Sequence, residues 1–91
     1  MNPLKVFIAD DEAPARERMK ELLGDIAAQV ATEVVGEARN GLEAVALAHQ
    51  LKPDIVTMDV EMPEMGGLEA CQRIMAEVTP KPAIIRRPPG Y

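Results

Sequence analysis

Serine is absent from the 91 residues, and cysteine and histidine occur once each, as Cys71 and His49. A serine nucleophile, an internal disulfide and a zinc site built on clustered Cys or His are therefore excluded. Aromatic residues are equally scarce, Phe7 and Tyr91 being the only two, so the stacking platforms of single-strand nucleic-acid binders are missing. No run approaches the roughly 18 uncharged apolar residues of a membrane span. The start, Met1-Asn2-Pro3-Leu4-Lys5, lacks the layout of a signal peptide, and a cytoplasmic location is expected. A net charge of −5 repels nucleic-acid phosphate and anionic lipid, so neither direct nucleic-acid binding nor membrane binding is expected.

What is present is globular in composition, 47% hydrophobic and 27% charged, and short enough for one domain. The charge is uneven along the chain. Residues 1–79 carry seven Lys or Arg and fifteen Asp or Glu, whereas Pro80–Tyr91 carries Lys81, Arg86 and Arg87 and no acid.

Lys5-Val6-Phe7-Ile8-Ala9 reads as a strand buried on both faces, ending at Asp10-Asp11-Glu12. From Ala13 the period becomes helical, with Ala15, Met19, Leu22, Leu23 and Ile26 on one face, Pro14 in the first turn and Gly24 near the stop. Glu33–Ala38 is a second strand. Asn40-Gly41-Leu42-Glu43 has the capping-box pattern and opens a second helix, with Ala44, Leu47, Ala48 and Leu51 on its apolar face. Asp54–Met58 is a third strand run that terminates at Asp59. A breaker-rich loop, Glu61–Gly67, precedes a third helix lined by Leu68, Cys71, Ile74, Met75 and Val78. Ala83-Ile84-Ile85 starts a fourth strand, which Arg86-Arg87-Pro88-Pro89 is expected to cut short.

This βαβαβαβ order predicts right-handed crossovers and a parallel sheet, in which ligands sit beyond the carboxyl ends of the strands. Asp10, Asp11 and Asp59 all fall there. Each close carboxylate pair would repel by about 4 kcal/mol at ~4 Å and an effective dielectric near 20, so a cation should bind among them. An all-oxygen donor set suits Mg²⁺. A carboxylate beside such a metal can act as nucleophile toward a phosphoryl donor, which makes Asp59 a candidate acyl-phosphate site. The competing reading is local, with Asp11 or Glu12 capping the helix after Ala13.

Val6-Phe7-Ile8-Ala9-Asp10-Asp11-Glu12 together with Lys52-Pro53-Asp54-Ile55-Val56-Thr57-Met58-Asp59-Val60-Glu61-Met62-Pro63 resembles the receiver domain of bacterial two-component response regulators. The stretch Asp10–Arg18 further resembles receivers that carry a LytTR-type (LytR/AlgR-like) DNA-binding domain and regulate transcription. The resemblance implies a flavodoxin-like, CheY-like α/β fold and reception of a phosphoryl group from a sensor histidine kinase, as a phosphoacceptor rather than an enzyme. Carried over by position, Asp59 is the phosphoacceptor, Asp11 a direct Mg²⁺ ligand, Asp10 a ligand largely through water, and the main-chain carbonyl of Glu61 the third protein ligand.

The family pattern also wants a Ser or Thr at the end of the fourth strand, which by count falls near Pro88, and a Lys after a fifth strand. Lys81, Lys52 and Lys5 do not match that Lys by position. Residues 1–85 therefore read as a receiver truncated after its fourth strand, without the fifth strand and last helices, and 86–91 as a tail foreign to the family. Impaired phosphorylation and completion of the open sheet edge by a homodimer are the expected consequences. The alternative is a phosphorylation-independent interaction module or a truncation relic. A dehalogenase-type phosphatase also uses a strand-end Asp, but wants a second Asp where this chain has Glu61. Gly66, where the family usually has Asp or Asn, is expected to support a left-handed turn. His49 and the series Arg16, Arg18, Lys20 and Arg39 read as solvated surface, Cys71, Met19, Met58 and Met75 as core, and Met62 and Met65 as loop packing.

Overall fold

The computed structural model describes residues 2–87. Alternating apolar runs and amphipathic segments give β1 (Leu4–Ala9), α1 (Ala13–Asp25), β2 (Thr32–Ala38), α2 (Gly41–Leu51), β3 (Ile55–Asp59), α3 (Gly67–Glu77) and β4 (Ala83–Arg87). The strands form one parallel sheet in the order β2-β1-β3-β4. The chain moves outward from β1 to β2 and then returns across β1 to β3. Right-handed crossovers in opposite directions place α1 on one face of the sheet and α2 with α3 on the other. The reversal leaves a crevice beyond the carboxyl ends of β1 and β3.

On the α2–α3 face, Phe7, Ala9, Val56 and Met58 from the central strands meet Ala44, Val45, Ala48, Ala70, Ile74 and Val78, all buried in one cluster. Alanines at three of these helix positions let the helices lie close to the sheet. Asn40 Oδ1 accepts the Glu43 amide at 2.8 Å, the expected cap, while the reciprocal Glu43 carboxylate takes the amide of Arg39. On the other face Val6 and Ile8 are buried, yet no residue of α1 is. The stripe expected for α1 is correct in phase but leaves Leu22 and the cap residue Ile26 half exposed.

Three expectations change. Leu68 and Met75 are exposed and Ala70 takes the core position of α3, because the helix buries against the sheet and α2 a stripe, Gly67, Ala70 and Ile74, narrower than its full apolar face. Arg86 and Arg87 do not cut β4 short: they continue it, level with Met58 and Asp59, since parallel pairing to β3 fixes their backbone. Gly66 is not left-handed. It is the extended cap of α3 (φ −70°, ψ 168°), and the left-handed residues are Glu64 and Met65 before it (φ 52° and 91°). Met58 and Met62 are buried, and Met65 packs against the core cluster as expected.

Candidate functional site

The turn from β1 to α1 brings two carboxylates to the head of the sheet, and the end of β3 brings a third. Asp10, Asp11 and Asp59 each offer an oxygen within 4.8 Å of the other two. Asp10 is buried, Asp59 half-buried and Asp11 exposed, so the group is walled on one side and open to water on the other. The local alternative fails at the cap itself: Glu12 occupies the cap position of α1 and its side chain makes no capping bond. Instead, Asp10 Oδ1 accepts the Glu12 amide at 3.0 Å, and the Asp10 amide is held by the Ala38 carbonyl at 2.9 Å.

On the β3 side, Asp59 Oδ1 accepts the amide of Glu61 at 3.2 Å. The loop that follows is folded back tightly on the helices. The Gly67 amide donates to the Val60 carbonyl at 2.9 Å, and a Cβ at Gly67 would lie 2.0 Å from the Asp59 carbonyl oxygen. A Cβ at Gly41, the first residue of α2, would likewise lie 2.1 Å from the Met65 carbonyl oxygen. Only glycine admits these approaches. Sequence reading treated Gly41 as part of a cap and Gly67 as part of a breaker loop; neither composition nor spacing announces a close backbone contact.

Arg16 was also missed. Its side chain is 15% exposed, not solvated, and its Nη1 donates to the Asp10 carbonyl at 2.8 Å while its Nε meets Glu37 Oε1 at 3.0 Å. A signal existed: a cation in the first turn of a helix opposes the macrodipole and needs a compensating partner. Lys20 completes the group at 2.8 Å from Glu37 Oε2. Its ammonium, with the Arg16 guanidinium, holds the Glu37 carboxyl below its ordinary range, and Glu37 in turn raises Lys20. His49 is exposed, as expected, but it is paired. It meets Glu77 at 2.9 Å across α2 and α3, and with Arg73 it lowers the Glu77 carboxyl.

Lys5, Lys52 and Lys81 all lie at or before the amino ends of strands, at the opposite end from the three carboxylates. The β4 position level with Asp59 is Arg87, one residue before the counted position; Pro88 lies outside the described residues. The donor set, three carboxylates with no nitrogen or sulfur and one open side, fits a hard divalent cation that keeps part of its water shell.

Residues 6–86 match the family described as the response regulator receiver domain. The chain is 49% identical over 84 residues to a protein-glutamate methylesterase/protein-glutamine glutaminase of Myxococcus xanthus, covering 92% of this chain and 23% of that protein. It is 48% identical over 81 residues to the chemotaxis protein CheY of Thermotoga maritima, covering 89% of this chain and 63% of that one. The solved response regulator domain of Thermotoga maritima CheB superposes with a TM-score of 0.84 at 38% identity, over 96% of this chain and 61% of that chain. The chain thus spans under a quarter of the methylesterase's length, and the ester chemistry named there belongs to that protein. With its parallel sheet, its strand-end carboxylates and this match, the chain belongs to the response regulator receiver domain family.

Proposed function

We propose that the chain takes a phosphoryl group from the phosphohistidine of a sensor histidine kinase onto the Asp59 carboxylate. The observation that carries this is the convergence of Asp10, Asp11 and Asp59 within 4.8 Å. Asp59 Oδ1 is engaged by the Glu61 amide, which orients the carboxylate and assigns Oδ2 to the attack. A bond forms from that oxygen to phosphorus as the phosphorus–nitrogen bond breaks. The electron pair returns to the histidine ring and the product is an acyl phosphate. Asp10, Asp11, Asp59 and the main-chain carbonyl of Glu61 would hold Mg²⁺, which supplies charge neutralisation on the transferring group. By the resemblance, Asp11 would be a direct ligand of that ion and Asp10 a ligand largely through water.

The position beside Asp59 in β4 is Arg87 rather than a hydroxyl residue, and on this ground uptake is slow and readout weak. The absence of direct nucleic-acid binding accords with the charge of −5, and a cytoplasmic location accords with membership of the receiver family. Kinship with LytTR-type transcriptional regulators is supported by the Asp10–Arg18 stretch alone. A homodimer closed through β4, or a module that pairs without phosphorylation, is favoured by one observation: Ile85 stands 54% exposed on the α1 face. Intact mass after incubation with Mg²⁺ and acetyl phosphate tests the main reading. A gain of one phosphoryl group in the native chain, absent in Asp59→Asn, is expected; no gain in either would favour the pairing module.

A further inference from the structure

The three carboxylates must be held at fixed separations to bind a cation, yet two of them, Asp10 and Asp11, sit on a turn between a strand and a helix with no buried residue. α1 covers Val6 and Ile8 with side chains that are themselves only half-buried, so apolar packing holds this turn less closely than the opposite face is held. A side chain of α1 reaches the turn through a polar contact. Arg16 Nη1 donates to the main-chain carbonyl of Asp10 at 2.8 Å, gripping the peptide that links Asp10 to Asp11. The same guanidinium is anchored from the other side by Glu37 on β2, at 3.0 Å through Nε, and Glu37 is shared with Lys20 at 2.8 Å.

We propose that Arg16 is a positioning residue for the cation site: its guanidinium, braced by Glu37, fixes the Asp10–Asp11 peptide and so sets the separation of the carboxylates. The assignment rests on the cation reading given above. It does not make Arg16 a ligand, since the contact is to a main-chain oxygen. The planar fork of arginine is what the geometry uses, one arm for the carbonyl and one for the carboxylate, and a lysine ammonium cannot serve both in this arrangement.

Charge and position make opposite predictions here, which renders the proposal testable. Arg16 is a cation close to a cation site, so on Coulombic grounds alone its removal would tighten Mg²⁺ binding. If it positions the turn, its removal weakens binding despite the relief of repulsion. Groups that orient metal ligands through a hydrogen bond are worth on the order of 10-fold or more in affinity.

The experiment is a titration of the whole chain with Mg²⁺ alone, followed by amide NMR shifts at Asp10, Asp11 and Glu61. It compares the native chain with Arg16→Ala, Arg16→Lys, Glu37→Gln and Asp11→Asn. The expected result is a dissociation constant raised roughly 10-fold in both Arg16 variants and by a smaller factor in Glu37→Gln. The metal-free spectra should remain dispersed. Arg16→Lys keeps the charge and the aliphatic stem, so it carries the test where Arg16→Ala does not fold. Affinity unchanged or tighter in the folded Arg16 variants, with binding in the native chain lost in Asp11→Asn, would overturn the positioning role and leave the cation site standing. No binding by the native chain would overturn both.

Discussion

On the face covered by α2 and α3, the sheet meets Ala44, Ala48, Ala70 and Ile74, each at 0% exposure; on the face covered by α1, no helix residue is buried and Leu22 is 51% exposed. One sheet is thus held in two ways. The α2–α3 face is closed by apolar packing at short range, with glycines at the two points where backbone meets backbone. The α1 face combines a thinner apolar contact with the Arg16–Glu37–Lys20 group. The functional crevice draws on both. Asp59 leaves the sheet onto the densely packed side, through the loop pinned by Gly41 and Gly67, whereas Asp10 and Asp11 lead into the polar-braced side.

This contrast predicts where substitutions will be felt. Ile74→Ala, in the densest part of the α3 contact, should lower unfolding free energy by about 3 kcal/mol in urea denaturation. Loss of less than about 1 kcal/mol would mean that the α2–α3 face is not the main source of stability. Gly67→Ala forces a methyl against the Asp59 carbonyl, and overpacking of this kind costs about 2 kcal/mol. Because the displaced atom belongs to Asp59, the variant should lose Mg²⁺-dependent phosphorylation out of proportion to its stability, which intact mass and denaturation measured together will show.

Leu22→Ala on the α1 face should cost only about 0.5 kcal/mol, the ordinary range for a half-exposed position; a cost near that of Ile74→Ala would erase the distinction between the faces. The smallest effect is a pH dependence. Glu37 is held below its ordinary value of 4.5 by Lys20 and Arg16. A depressed carboxyl contributes stability above its unfolded value, and that contribution is lost as the pH falls through the folded one. Lys20, raised above 10.5, stays charged throughout that window. The stability difference between the native chain and Glu37→Gln should therefore be present at pH 6, below about 1 kcal/mol for so exposed a group, and shrink toward zero in the acid range. A difference independent of pH would show that Glu37 acts through packing rather than charge.

The element order and the strand-end aspartates were legible in the sequence for a physical reason. Each depends on local pattern, a run of β-branched residues ending at an acid, and a parallel sheet converts that pattern directly into position. Asn40 with Glu43 was legible on the same ground, since a cap is satisfied within four residues. What escaped depends on partners distant in sequence. Its place in the first helical turn marked Arg16 as needing a partner, but only the fold shows that β2 supplies it in Glu37. Arg86 and Arg87 were assigned to the tail, but pairing with Met58 and Asp59 draws them into β4. The left-handed conformation expected at Gly66 falls on Glu64 and Met65 instead because the loop is shaped by contact with α2, where the Leu42 amide donates to the Glu64 carbonyl at 3.3 Å. The narrow buried stripe of α3, with Ala70 in place of Leu68, is likewise set by which side of the helix meets the sheet and α2 rather than by hydrophobicity.

The most direct test of the central claim locates the phosphoryl group. After incubation with acetyl phosphate and Mg²⁺, borohydride reduces an aspartyl phosphate to homoserine, and peptide mapping by mass spectrometry reads the modified position. The account predicts homoserine at Asp59 alone, with the signal abolished when the metal is chelated. Modification at Asp54 or another carboxylate, or a yield at Asp59 that is the same with and without metal, would contradict it.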